Sequence, residues 1–324
     1  MSKSSIKNIS VEKKKKSNSA SRSIFNKIKT FPELYLMVIP YLIWLLIFQY
    51  GPMYGVLIGF KDYNSALGVT KSPWTDMYGF KHFYNFLTLS TSKTLILNTL
   101  RISIVNLLVY FPLPILLAIG FHHIKVKKLA KAYQTISYIP NFISTVVTVG
   151  IMGILINGQV GVLNKIINYF GGQKIDFLNN SDWFVWIYVG SGIWTGLGWS
   201  TIIYTGALSN ISPELYEAAE IDGANKWQQI KYIEWPSIAP LVSVMLILSI
   251  GGLMSVGWEK AYLLRRPLNL SKSEIISTYT YQQGILGGQY SYTTAIGLFN
   301  SVVNIILLLI ANGISKLAGN NSLF

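Results

Sequence analysis

Between Ser212 and Pro236 the chain reads SPELYEAAEIDGANKWQQIKYIEWP, the most polar and most acidic run lying between two strongly apolar segments. The spacing predicts two short helices parted by a glycine. Ser212 is placed to cap the first, its side-chain oxygen accepting a backbone N–H one turn on, and Pro213 suits the first helical position. Glu214 and Glu217 then fall near the positive end of the helix dipole, where negative charge is favoured. Leu215, Ala218, Ala219 and Asp222 recur at helical spacing and share a face. The two alanines on that face leave room for a bulky neighbour. Gly223 is free to take the left-handed conformation that ends a helix. A second helix follows with Trp227, Ile230 and Ile233 on one side, and Pro236 opens the next apolar segment. A pre-shaped helix–turn–helix at a membrane face is a docking surface.

Glu217-Ala218-Ala219, followed at fixed distance by Gly223, Ile233 and Pro236, resembles the EAA loop of inner-membrane permease subunits of ABC importers. Asp222-Gly223-Ala224 is similar to the form found in oligosaccharide permeases, and Trp235 stands where the family usually has leucine. The resemblance implies that Glu217, Ala218, Ala219, Asp222, Gly223 and Ala224 form coupling helices seated in a cleft of an ATPase subunit. An amphipathic surface helix that happens to contain EAA is the simpler competing reading.

Composition sets the class. Of 324 residues, 51% are hydrophobic and 12% charged, whereas soluble domains carry about twice that charged fraction. Several stretches exceed the ~18–20 apolar residues needed to cross a bilayer, so the chain is a polytopic, all-α membrane protein. There are no cysteines, which excludes disulfides and thiolate metal sites, and the histidines (His82, His122, His123) are too few and poorly spaced for a convincing metal cluster. The net charge of +14 is concentrated in residues 1–30 and in loop 122–132. That fits attraction to anionic lipid and control of topology rather than nucleic-acid binding.

Residues 1–30 are rich in lysine and serine, cannot bury a core, and read as a disordered cytoplasmic tail. Six spans are expected in the permease domain 31–318: Leu34–Phe60, kinked near its far end by Gly51-Pro52; Thr94–Phe121, bent by Pro112 and Pro114; Ala132–Ile156, broken at Pro140-Asn141; Trp183–Leu208; Pro236–Trp258; and Tyr292–Leu317. Residues 319–324 form a short C-terminal tail. Lysine and arginine are biased towards the segments that share a side with the N-terminus, chiefly the tail and loop 122–132, and alternation of six spans then places loop 212–236 on the cytoplasmic side; the resemblance implies a bacterial plasma membrane. The segment GFKHFYNF before the second span resembles the lead-in to the core helices of such permeases. As an interfacial aromatic anchor it needs no further role.

No G-x-x-x-x-G-K-[ST] run occurs, and Asp and Glu are confined to loops and span ends. The chain therefore neither holds ATP in a P-loop nor carries the intramembrane carboxylates of a proton-coupled carrier, and energy comes from another subunit. The fourth and fifth spans carry Trp194, Thr195, Trp199, Ser200 and, further on, Ser249, Gly252, Met254 and Ser255. Aromatic platforms beside small polar groups suit sugars, and a neutral sugar needs no charged ligand. Equally, small residues serve close helix packing and tryptophan marks interfaces. The resemblance to maltose-type permeases implies substrate contacts from the spans flanking the EAA loop, with Trp199 and Ser249 foremost and Trp194, Thr195, Gly252 and Met254 behind them.

The resemblance further implies a type I ABC importer permease fold and alternating access. The partners would be a second permease subunit in a heterodimer, two ABC ATPase subunits that bind ATP and Mg, an extracellular lipid-anchored solute-binding protein and membrane lipid, with no nucleic acid. The chain itself would carry no cofactor and catalyse no covalent chemistry, importing oligosaccharides or polysaccharide fragments. A permease for a non-sugar solute and a membrane-embedded glycosyltransferase are the competing readings.

Overall fold

The structure is a computed structural model and describes residues 32–317; the tails assigned to 1–30 and 319–324 lie outside the described residues. Among the described residues the secondary structure is helical, with one isolated antiparallel bridge, Lys61 to Trp74. Two compact units divide the chain, Met1–Leu57 and Ile58–Phe324.

The first unit holds most of α1 (Pro32–Phe60), an apolar helix that widens into a π-turn at Leu46–Tyr50 before Gly51 and Pro52 and tightens to 3-10 geometry from Tyr54. Pro52 has no N–H for the carbonyl four residues back, and its ring crowds that carbonyl. A wider turn relieves both problems.

The second unit is built around two helices, α3 and α7. In order it contains α2 (Lys81–Thr88), α3 (Ser92–His122), α4 (Lys127–Phe142), α5 (Thr145–Leu155), α6 (Val162–Tyr169), α7 (Ser181–Ser209), α8 (Pro213–Ile221), α9 (Lys226–Gly251), α10 (Trp258–Leu264), α11 (Ile276–Thr280) and α12 (Tyr290–Leu317). Helices α3 and α7 meet in two buried layers. At one end Ile102 packs with Phe184, Val185, Tyr188 and Val189, closed by Ala261 and Leu264 of α10. At the other end Ile115, Ala118 and Ile119 pack with Tyr204 and Leu208, closed by Ile238 and Val242 of α9. A third layer joins Phe86, Leu95, Ile276 and Ile296 around Met254.

The second expected span is a single helix with a π-turn at Asn106–Tyr110, again just ahead of a proline, Pro112. The third is two helices, α4 and α5, meeting at 100°. The short 3-10 turn Ile139–Phe142 at Pro140 ends α4, and Ser144 caps α5 by accepting from the Val147 N–H. The fifth differs from expectation at both ends. Helix α9 begins at Lys226 and runs through a π-turn at Ile230–Glu234, so Pro236 lies inside a continuous helix. It stops at Gly251, and residues 252–257 are not helical. Side chains satisfy that irregular backbone. Asn304 Oδ1 accepts from the Met254 N–H at 3.0 Å, Asn300 Nδ2 donates to the Met254 carbonyl at 2.9 Å, and the Ser103 hydroxyl donates to the Leu253 carbonyl. Non-helical backbone at membrane depth is tolerated where protein covers it or where it lines a cavity.

By length and composition α1, α3, α9 and α12 are apolar enough to cross a membrane, and the bent pair α4–α5 brings the number to five. Helix α7 is long enough at 29 residues, but its many Trp, Tyr, Gly, Ser and Thr residues keep it out of that set. Its close approach to α4 depends on Gly198, where an added Cβ would overlap the Ser137 carbonyl. Gly198→Ala is expected to destabilise the fold by about 1–3 kcal/mol through forced separation of α4 and α7, while Gly206→Ala, where an added Cβ meets nothing within 4 Å, should cost nothing and gain up to about 1 kcal/mol from helix propensity. Thermal unfolding of the detergent-purified complex distinguishes them.

Candidate functional site

Two features stand out, the loop around α8 and a cavity between the α3–α7 layers. In the loop, Ser212 occupies the cap position and Pro213 the first turn, but the Ser212 hydroxyl makes no capping hydrogen bond. Its backbone carbonyl accepts from the Leu215 N–H instead, at 3.2 Å. Gly223 has φ +77, and the Ala224 N–H closes the helix end onto the Ala219 carbonyl at 2.8 Å. This is the glycine-ended helix expected from sequence. Asn225 starts α9 with a reciprocal capping box: its side chain accepts from the Gln228 N–H at 3.0 Å, and the Gln228 side chain accepts from the Asn225 N–H at 2.7 Å. Glu217, Ala218, Asp222 and Gly223 are exposed, whereas Ala219 and Ala224 are half-buried. Around them Leu215, Ile221 and Trp227 also lie open, Ile221 at 88% of its full exposure. The loop therefore presents apolar and acidic groups together at one surface.

Behind that surface lies a polar cluster that sequence periodicity does not disclose. Gln229 and Glu234 are buried, Glu234 completely, although ordinary helical spacing puts Trp227, Ile230 and Ile233 on one side. The π-turn at Ile230–Glu234 adds one residue to the helical turn, which brings positions five apart onto one face. Glu234 Oε1 lies 2.8 Å from His123 Nε2 without forming an aligned hydrogen bond, and neither carboxyl oxygen has a hydrogen-bond partner among the described residues. Beside it His122 Nε2 shares a hydrogen bond with the Tyr216 hydroxyl at 3.1 Å, and Lys226 Nζ donates to Gln229 Oε1 at 2.9 Å. Burial and the Lys226 charge hold His123 below the usual imidazole range. Burial and the Glu234 charge push the Tyr216 phenol up to about 12. Tyr216 on α8 is thus tied to the loop-side end of α3, so a displacement of α8 reaches the central helix pair directly.

The cavity has a volume of about 780 Å³ and runs between the two α3–α7 layers. Asn106 and Tyr110 of the α3 π-turn, Tyr188, Trp199, Ser200 and Tyr204 of α7, Ser249 of α9 and the irregular backbone at 252–257 line it. The Tyr110 and Ser200 hydroxyls are hydrogen-bonded at 2.6 Å, and Gly196 lets Tyr110 in, because an added Cβ there would lie 2.7 Å from its hydroxyl. Trp199 is half-exposed and stands edge-on to Phe142, ring centroids 6.0 Å apart.

Of the six pathway positions expected from sequence, the structure brings Trp199, Ser249 and Gly252 together on the cavity wall. The other three lie elsewhere. The Thr195 hydroxyl is turned back onto the Ser191 carbonyl at 3.0 Å, Trp194 is partly exposed off the cavity, and Met254 is buried in the third core layer. Asn106, Tyr110, Tyr188 and Tyr204 also line the cavity, beyond the positions the sequence points to. Their signal was available only as polar and aromatic residues beside Pro112 and within an aromatic-rich helix, neither of which specifies a facing direction.

A model of the family described as "Binding-protein-dependent transport system inner membrane component" matches residues 111–316. This chain belongs to that family. The permease is 41% identical over 291 residues to the polygalacturonan/rhamnogalacturonan transport system permease protein YteP of Bacillus subtilis (strain 168), covering 90% of each chain. It is 31% identical over 305 residues to the arabinooligosaccharides transport system permease protein AraP of the same organism, covering 92% of each. Among solved structures it superposes with TM-score 0.81 and 38% identity on a chain of a bacterial ABC transporter involved in the import of the acidic polysaccharide alginate, covering 90% of this chain and 98% of that one. The alginate transporter in complex with a pentasaccharide-bound periplasmic protein gives TM-score 0.82 at 37% identity, over 92% of this chain. The permease is accordingly a membrane-embedded transport subunit of the ABC importer type, and not an enzyme.

Proposed function

We propose that this permease forms one half of a heterodimeric channel that imports oligosaccharides or polysaccharide fragments across a bacterial plasma membrane. The observation that carries the reading is the joint presence of an exposed Glu217-Ala218-Ala219…Gly223 surface and a cavity walled by aromatic faces and hydroxyls in the same chain. The sugar relatives support the substrate class. In this reading α7 is a sixth span, the N-terminus is cytoplasmic, and the α8 loop docks one of two ATPase subunits. A lipid-anchored binding protein delivers solute to the opposite face.

The ATPases bind ATP and Mg, and the permease converts their closure into helix movement. Work applied to α8 passes through Tyr216 and His122 to α3 and through the Asn225 cap to α9. Both helices contribute cavity wall, so the groups facing the solute move with the loop. Trp199 offers a flat face to sugar C–H groups. Tyr110, Ser200 and Ser249 offer hydroxyls whose hydrogen bonds exchange with those of the solute. Ser249 donates to the Met245 carbonyl at 2.7 Å and keeps its oxygen lone pairs free to accept.

Uptake of a panel of labelled oligosaccharides by a strain lacking this permease, with and without the gene restored, tests the reading. Trp199→Ala is expected to raise the half-saturation concentration about tenfold, as for truncation of an aromatic anchor. Ser249→Leu should block uptake while leaving complex assembly intact. Restored uptake of peptides or amino acids, with no sugar transported, would favour the non-sugar reading.

A further inference from the structure

We infer that the cavity takes acidic sugars, with Lys260 recognising a carboxylate at its Tyr188 end; this rests on the oligosaccharide-import reading above. Lys260 is not itself a wall residue, and three observations set it directly beside that end. Its ammonium donates to the Tyr188 carbonyl at 2.8 Å and lies 3.9 Å from the centroid of the Tyr188 ring, and Tyr188 is a wall residue of the cavity. An added Cβ at Gly192 would sit 3.0 Å from the same nitrogen. Gly192, Gly196 and Ser200 follow one another at four-residue intervals, so they share a face of α7. On that face Lys260 stands over Gly192, Tyr110 over Gly196, and the Tyr110–Ser200 hydroxyl pair completes the row. From Gly192 to Ser200 is about 12 Å of helix rise.

The cation lacks a counter-charge. No carboxylate lies within ion-pair distance of Lys260 among the described residues, whereas Lys272 pairs with Asp182 and Arg265 with Glu274 in the same region. An ammonium has three donors, and the Tyr188 carbonyl takes one of them. The ring face beneath adds attraction but no hydrogen-bond acceptor in the plane. Burial pushes the group down to about 8, the direction expected for a cation held out of water without an anion. A solute carboxylate would satisfy the free donors and the charge together. The hydroxyl row continuing along α7 would meet the sugar hydroxyls of the same chain. Tyr188 is fixed for this by its own hydrogen bond, hydroxyl to the Gly257 carbonyl at 3.4 Å, and by its place in a core layer.

The test is equilibrium binding to the assembled transporter in detergent, without the binding protein, so that the selectivity read is that of the membrane subunits. The probes are labelled trigalacturonate and the same trisaccharide with its carboxyl groups reduced to alcohols. Wild type should bind trigalacturonate more tightly. Lys260→Met should weaken trigalacturonate roughly tenfold or more, as for loss of one partner of a desolvated charge pair, and leave the reduced form unchanged. Lys260→Arg should keep the preference. Equal losses for both probes in Lys260→Met would mean that the lysine only holds α10 against α7, and would overturn the inference. So would unchanged trigalacturonate binding in Lys260→Met, or wild type binding the reduced form alone. Binding of neither probe by wild type would remove the oligosaccharide reading itself and the inference with it.

Discussion

Gly223→Val is expected to abolish solute uptake while the permease still inserts into the membrane, with the ATPase subunit missing from the purified complex. Gly223 has φ +77, a region that costs a side chain bearing Cβ about 1–2 kcal/mol and a β-branched one more. That cost falls on a turn, not on the core, so the membrane portion keeps its stability. The turn instead relaxes by rotating Gly223 out of the left-handed region. The Ala224 N–H then loses the Ala219 carbonyl, and α8 changes direction relative to the start of α9. Glu217 and Ala218 are displaced together, so an interface built on them is lost as a unit, and a fall of roughly a hundredfold in uptake is expected. Gly223→Asn should retain most activity, because asparagine tolerates that conformation. Uptake and ATPase co-purification read the two variants. Normal docking in Gly223→Val would remove α8 from the coupling role.

His123→Ala should lower stability by about 1–3 kcal/mol, by removing the imidazole that faces a fully buried carboxyl group and leaving Glu234 without its nearest polar neighbour. Glu234 has neither solvent nor another hydrogen-bond partner to turn to. Removing both groups should be far milder. His123→Ala combined with Glu234→Leu replaces a desolvated pair by apolar packing beside Ile230 and Ile238, a change that is often close to neutral. A double-mutant cycle on thermal unfolding of the purified complex measures the coupling. A double variant no more stable than His123→Ala would show that Glu234 stabilises through contacts other than the histidine.

Much of this arrangement is legible in the sequence because it rests on local chemistry. Pro213 and Gly223 punctuate the α8 loop through backbone conformation alone, Pro140 marks the end of α4 the same way, and the Gly51-Pro52 pair marks a distortion of α1 rather than a break. What escapes is register. Each π-turn adds a residue to one turn, so Glu234 comes to the buried face of α9 when simple periodicity sends Ile233 there. The end of α9 at Gly251 is also invisible locally. It depends on Asn300 and Asn304, some fifty residues further on, supplying hydrogen bonds to the unwound chain. Met254 accordingly sits in a core layer and not on the cavity wall. Nothing local distinguishes Lys260, and only the tertiary structure sets it against Tyr188 and Gly192.

The π-turn at Asn106–Tyr110 makes the cavity between the α3–α7 layers sensitive to chain length in a way that no substitution can imitate. One residue deleted within it would restore regular α-helix and swing everything on one side by about 100°. Asn106 and Tyr110 could not then both face the interior while Ile115 and Ala118 kept their seats against α7. Relatives that differ by a single insertion or deletion here should therefore differ in which solutes they admit, even where every neighbouring amino acid is the same.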